Sequence, residues 1–362
     1  TGKTLAFLLP LIETLDPENT EIQILIIVPS RELAQQLLQV ARDMGSGFKV
    51  NAVYGGRAGS QDKLDLKHLP AILIGTPGRI ADRFFKDTYS LDHIKTLGYE
   101  VEDYGDVDIV NPKRVAEEGE NPKYLPEIYE SSKNMTTAVK KILADEKIPV
   151  ILGGDHSIAA GTFSGVSSHF KEKGEDIGLI WFDAHADMNT PKTSPSGNTH
   201  GMPLATLLGH GNEQMVNLEG FTPKIKPEFC AHIGARDLDI GEKRTINELG
   251  MRENCFTMSD IDRRGMVECV EDAIKIASRA KAGFAVTFDV DVIDPRFAPG
   301  SGTLVRGGMT YREAHLGLEI IAERGGMRSF EIVEVNPMLD RNNITSKVAS
   351  ELILSALGNA IL

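Results

Sequence analysis

Asp183-Ala184-His185-Ala186-Asp187 closes the apolar run Ile177 to Phe182 and places three metal-capable side chains at every second position. In extended backbone, residues two apart point to the same side, so these three can converge on one point. The apolar run Phe284 to Phe288 opens in the same way into Asp289-Val290-Asp291, and Val150-Ile151-Leu152 leads through Gly153-Gly154 into Asp155 and His156. Three strand-like runs therefore end in ligand-type residues, and in open parallel α/β sheets ligands bind beyond the carboxyl ends of the strands. Taken singly, each stretch could be a strand running out into a solvated acidic loop, and His156 a hydrogen-bonded loop histidine. Taken together, acids crowded at one sheet edge repel one another unless a cation holds them, which points to a metal centre.

The chain has 362 residues, 25% charged and 41% hydrophobic, the composition of a soluble globular protein. Its net charge of -13 argues against a nucleic-acid or anionic-membrane partner and suits a small cationic substrate. Residues 1 to 97 carry 11 basic and 11 acidic side chains, so the whole net charge falls on residues 98 to 362. Cys230, Cys255 and Cys269 lack the C-x-x-C spacing of a thiolate zinc site and are odd in number, which predicts a reducing, cytoplasmic setting without a disulfide framework. Leu5 to Leu11 is too short an apolar run to span a bilayer.

The first 97 residues open Thr1-Gly2-Lys3-Thr4, the tail of a phosphate-binding loop, followed by an apolar helix. Ile22 to Val28 reads as a buried strand, and Pro29-Ser30-Arg31-Glu32-Leu33-Ala34-Gln35 as a helix start with Ser30 as cap. Tyr54-Gly55-Gly56 follows a short strand, and Ala71 to Ile74 is another, ending in Gly75-Thr76-Pro77-Gly78-Arg79-Ile80. In this order the motifs resemble the first RecA-like domain of a DEAD-box RNA helicase. The D-E-A-D tetrad that holds magnesium in that family would follow Leu97, but here the chain continues Gly98-Tyr99-Glu100. The resemblance thus implies an incomplete, inactive helicase segment over residues 1–97.

From residue 98 onward, strand-like and helical runs alternate: Leu125 to Glu146 and Gly265 to Ala280 are helical, Ala231 to Ala235 and Phe330 to Val335 extended, and Lys347 to Leu362 a closing helix. Tyr99 to Tyr104 alternates toward a further strand. Such alternation predicts a parallel sheet with helices on both faces. Between Asn189 and Gly201 lies a long loop rich in hydroxyls and amides, a composition that beside a metal centre points to function.

Gly153-Gly154-Asp155-His156-Ser157, Phe182 to Asp187, Ser196-Gly197-Asn198-Thr199-His200-Gly201, Phe288 to Pro295 and Glu334-Val335-Asn336-Pro337 follow one another as in the arginase family of ureohydrolases, which residues 98–362 resemble. The resemblance implies an arginase-like α/β fold and a manganese-dependent hydrolase converting L-arginine and water to L-ornithine and urea. It implies two Mn²⁺ per chain, bridged by Asp183 and Asp289, with His156 and Asp187 completing one site and His185 and Asp291 the other. Four carboxylates and two imidazoles without a thiolate suit an oxygen-preferring ion better than structural zinc. Two ions about 3.5 to 4 Å apart can share a water and lower its pKa.

For the substrate, the resemblance implies that Asn189, Ser194 and Ser196 hold the α-carboxylate of arginine. Asp239, with Asp237 and Glu242 alongside, would take its α-amino group. His200 matches the proton-transfer histidine, Glu334 and Thr303 the residues that orient the guanidinium, and Asp291 is carried over both as metal ligand and as a catalytic residue. A homo-oligomer, trimer or hexamer, is also implied. Alternatives are a ureohydrolase for agmatine or another guanidino compound, a nucleotide- or RNA-binding module formed by residues 1–97, and an inactive chimera. The family's sheet has eight parallel strands with the first one interior, and helicase-like sequence stands where that strand belongs. One of Ile22 to Val28 and Ala71 to Ile74, with the second favoured, is therefore expected to fill the vacant place.

Overall fold

The apolar runs that end in the acidic stretches become strands, and among the described residues all strand pairs are parallel. The computed structural model describes residues 2–28, 30–54, 68–76 and 91–361. Thr1, Pro29, Gly55-Gly56 and Pro77-Gly78-Arg79-Ile80 of the helicase-like motifs lie outside these residues. The chain divides into Thr1–Tyr89 with Glu102–Asp106, and Ser90–Val101 with Val107–Leu362, rather than at Leu97.

In the first unit, β1 (Ile24–Ile27), β2 (Val50–Val53) and β3 (Ile72–Gly75) form a sheet in the order β1-β3-β2. Helices Gly2–Ile12 and Arg31–Asp43 bury Leu8, Ala34, Leu37 and Ala41 with these strands. Ser30 caps the second helix, its Oγ accepting from the Leu33 amide at 3.2 Å.

The second unit holds six strands: β4 (Val150–Leu152), β5 (Gly178–Phe182), β6 (Cys230–Ile233), β7 (Cys255–Phe256), β8 (Phe284–Asp289) and β9 (Met327–Val333), in the order β4-β9-β8-β5-β6-β7. Their residues alternate between two covered faces. Leu179 and Trp181 of β5 share a core with Phe163 and Val166 of helix Ala159–Glu172. Phe182, on the other face, meets Gly317 of helix Tyr311–Arg324 and stacks on Phe288 with ring centroids 5.2 Å apart. The expected sheet with helices on both faces is what forms.

β5 and β8 are central neighbours, yet the chain leaves β5 toward β6 on one side and β8 toward β9 on the other. Segments diverging from adjacent strand ends leave a crevice between them, the place where open α/β sheets bind ligands.

Four expectations are corrected. Ala71 to Ile74 does not fill a vacancy in the larger sheet: β3 pairs in register with β1 on one side and β2 on the other, so both its edges are already used. Six strands form where the resemblance implied eight, and the three-residue β4 is an edge with β9 as its neighbour. Tyr99 to Tyr104 forms no strand, because none of its residues is buried and alternation alone gives a segment no face to pack. The closing helix is Ile344–Ala356, shorter than its sequence pattern.

Because the six-stranded sheet carries its own helices on both faces, residues 107–362 expressed alone are expected to melt in one cooperative transition. A broad melt with no near-UV circular dichroism would contradict that self-sufficiency.

Candidate metal centre

The carboxyl ends of β5 and β8, with the turn after β4, bring the three acidic stretches together. His156, Asp183 and Asp289 form one group of donor atoms lying within 4.8 Å of one another, and Asp183, His185 and Asp291 form a second. His156 Nδ1 is 3.1 Å from Asp183 Oδ2, 3.2 Å from Asp187 Oδ2 and 3.2 Å from Asp289 Oδ2. His185 Nδ1 is 3.5 Å from Asp183 Oδ1 and 3.1 Å from Asp291 Oδ2. The two oxygens of Asp183 thus face the two imidazoles separately, the placement a bridging carboxylate needs. His156 Nδ1 is buried and makes no hydrogen bond of acceptable geometry despite these neighbours. An orphaned imidazole nitrogen ringed by carboxylate oxygens fits a cation.

The turns after the strands hold the acids in place. Asp183 Oδ1 accepts from the His185 amide at 2.7 Å, and its Oδ2 accepts from Trp181 Nε1 at 3.0 Å. Asp289 Oδ1 accepts from the Asp291 amide at 2.8 Å, and Asp291 from the Ala184 amide at 3.2 Å and Thr303 Oγ1 at 2.9 Å. Asp187 and Glu334 adopt left-handed backbone, with φ of 54° and 64°. Strain of that kind in non-glycine residues persists where a site requires it.

Protonation reflects the crowding. Burial lowers the basicity of His156, but Asp183, Asp187 and Asp289 outweigh it and raise its pKa well above the usual range. His185 follows the same balance, with Asp183 and Asp291 pushing it up to about 12 against burial. Burial and the Asp183 charge hold Asp187 well above the usual carboxylate range, and burial with Asp291 and Asp183 does so for Asp289. Asp183 is held well below that range because the two imidazoles overcome its burial. Glu334 is raised by burial to about 7.

Around this cluster, Glu334 Oε1 accepts from the His156 amide at 2.9 Å and lies 3.9 Å from His200 Nδ1, so the two residues face one another. Thr303 sits against Asp291 as noted. In the long loop, Asn189 Nδ2 donates to Asp239 Oδ2 at 2.7 Å, and Asn189 Oδ1 accepts from Thr193 Oγ1 at 2.8 Å. Ser194 Oγ and Ser196 Oγ accept from the Gly197 and Asn198 amides. Asp239 and Glu242 form a capping box on helix Ile240–Glu248, which gives both a structural role. Asp237 is exposed. Gly241 permits the loop's approach: a Cβ there would lie 2.8 Å from Asn189 Oδ1 and 2.8 Å from Thr193 Cβ.

Several neighbours carried no sequence signal. Trp181, an apolar residue in its motif, stacks on His156 with ring centroids 4.2 Å apart. His232 Nε2 contacts the His185 carbonyl at 2.7 Å, and burial lowers its pKa to about 4. Arg236 donates to the carbonyls of Asp291, Val292 and Val305, fixing the turn after β8. Each contact joins residues distant in sequence.

Residues 79–358 match the profile of the arginase family, and residues 1–103 that of the DEAD/DEAH box helicases. An arginase of Bacillus subtilis (strain 168) is 46% identical over 272 residues, 75% of this chain and 89% of that protein. The crystal structure of arginase from Bacillus caldovelox superposes with a TM-score of 0.72 at 42% identity, covering 78% of this chain and 92% of that one. An Entamoeba histolytica arginase, solved in complex with L-ornithine, gives 0.68 at 30% identity, covering 77% and 92%.

Raised pKa values favour the protonated forms, and a cation must displace those protons. Divalent-metal affinity is therefore expected to fall as pH drops and to be accompanied by proton release. Calorimetry in buffers of differing ionisation heat measures both; a pH-independent affinity without proton release would contradict the protonation pattern.

Proposed function

The chain belongs to the arginase family of hydrolases, and we propose that it uses two Mn²⁺ ions to hydrolyse L-arginine to L-ornithine and urea. The observation that carries this reading is the convergence of His156, Asp183, Asp187, His185, Asp289 and Asp291 at the ends of β4, β5 and β8. His156 and Asp187 would hold one ion, His185 and Asp291 the other, with Asp183 and Asp289 shared. When bound, such a pair lowers the pKa of a shared water so that it can attack at neutral pH.

The chain's own groups do the rest. Guanidinium is delocalised and cationic, and the buried acids favour its approach. Glu334 and Thr303 orient it. His200, exposed enough to exchange protons with solvent and facing Glu334, delivers a proton to the departing amine. Asn189, Ser194 and Ser196 present polar groups to an α-carboxylate, and Asp239 with Asp237 and Glu242 acids to an α-amino group. The Asn189–Asp239 bond joins these two subsites directly, so both substrate ends are read by one connected unit.

No helix among the described residues is long and apolar enough to cross a membrane. We assign the protein to the cytoplasm and to a homo-oligomer. Residues 1–97 contribute no nucleotide hydrolysis in this reading, since the acid tetrad that positions Mg²⁺ is missing after Leu97.

With Mn²⁺ added, urea release from L-arginine is expected to exceed that from agmatine by a factor on the order of 10⁴, because a substrate without the carboxylate leaves the loop's polar groups unpaired. Equal rates would sink the substrate assignment. Asp183→Ala is expected to lose both ions, whereas His200→Ala keeps them and lowers turnover by about 10² to 10⁴. Metal analysis finding two ions in Asp183→Ala would refute the shared carboxylate.

A further inference from the structure

Beside the metal centre, inside the sheet, lies a buried carboxylate that the hydrolytic reading leaves without a task. Glu331 is fully buried in β9, and among the described residues no lysine or arginine pairs with it. Its partners are two hydroxyls: Thr287 Oγ1 donates to Oε1 at 3.0 Å, and Thr162 Oγ1 donates to Oε2. Thr287 and Glu331 are opposite partners in the parallel ladder of β8 and β9, so register puts their side chains on one face of the sheet. Thr162, on helix Ala159–Glu172, covers that face. Thr287 Oγ1 also lies 3.0 Å from His156 Nε2.

With Glu331 ionised and the imidazole neutral, the hydrogen-bond chain fixes the tautomer of His156. Thr287 has a single hydroxyl proton, and Glu331 takes it. The Thr287 oxygen must then accept from His156 Nε2–H. That leaves Nδ1 with a lone pair, the same atom that faces Asp183, Asp187 and Asp289. We propose that Glu331, acting through Thr287, is a positioning residue that holds His156 in its metal-binding tautomer and sets the affinity of the His156-side ion selectively. The inference rests on the two-ion reading above. Burial raises the Glu331 pKa while the Thr162 and Thr287 hydroxyls oppose that rise; in its ionised form the carboxylate passes negative charge through the hydroxyl to the imidazole, which makes the ring a stronger donor to a cation. The same relay stops at His156: His185 is reached through its own backbone carbonyl by His232 instead.

The test titrates Mn²⁺ into metal-stripped full-length protein by calorimetry and compares the two affinities in the parent with those in variants. His156→Asn identifies which affinity belongs to the His156 side. Thr287→Val and Glu331→Gln are expected to weaken that same affinity by about 10- to 100-fold and to leave the other unchanged. Thr287→Ser, which keeps the hydroxyl, is expected to restore it. Nitrogen-15 spectra of His156 supply a readout independent of activity and of loading. In the parent with Mn²⁺ removed and the ring neutral, Nε2 carries the proton; in Thr287→Val the tautomers mix. Equal weakening of both affinities, no weakening, or a parent ring protonated on Nδ1 overturns the relay while the metal reading stands. A parent that binds fewer than two ions overturns both.

Discussion

Carboxylates that must share one small buried space constrain everything else in the catalytic unit. Asp183, Asp187, Asp289 and Asp291 lie at adjacent strand ends with almost no solvent to screen them, and like charges at such distances in a low-dielectric interior cannot all stay ionised without a counter-charge. Protons can supply it, which is why two imidazoles and two of the acids are driven toward their protonated forms. In the proposed two-ion site a pair of divalent cations would supply it. Backbone amides of His185, Asp291 and Ala184, donated at the turns, fix where the oxygens point before either arrives.

The sheet order makes that concentration of charge possible. Four of its strands, β4, β5, β8 and β9, deliver site residues at one edge, and the reversal between β5 and β8 keeps the following segments from filling the crevice. Apolar packing on both faces, with Trp181, Phe182, Phe288 and Phe330 fully buried, supplies the rigidity. The left-handed conformations of Asp187 and Glu334 are held against that frame. The long loop is tied to the frame by Asn189 and Asp239 and by the close approach allowed at Gly241, so it is braced by the helix it faces.

Much of this was legible in the sequence because it is local. Period-two spacing in Asp183-Ala184-His185-Ala186-Asp187 and in Asp289-Val290-Asp291 places the ligand atoms without knowledge of the fold, and Ser30 announces a helix start through its own turn. What was not legible is pairing between distant segments. The alternation of Tyr99 to Tyr104 suggested a strand, but alternation needs a partner and a face to bury, and the segment has neither buried residue nor strand structure. Ala71 to Ile74 looked free to complete the larger sheet, yet β1 and β2 already occupy its two edges. Thr287 and Glu331 read as ordinary strand residues until the register of β8 against β9 sets them side by side. The same holds for Asp239 and Glu242, whose capping box is a local signal that says nothing of Asn189 across the loop.

The central claim is that one shared set of carboxylates holds two ions. A crystal of the protein grown with Mn²⁺ and measured at the manganese absorption edge tests it most directly. The account predicts two anomalous peaks about 3.5 to 4 Å apart, one beside His156 Nδ1 and Asp187, the other beside His185 Nδ1 and Asp291, with Asp183 and Asp289 touching both. A single peak, or two peaks that share neither carboxylate, would contradict it.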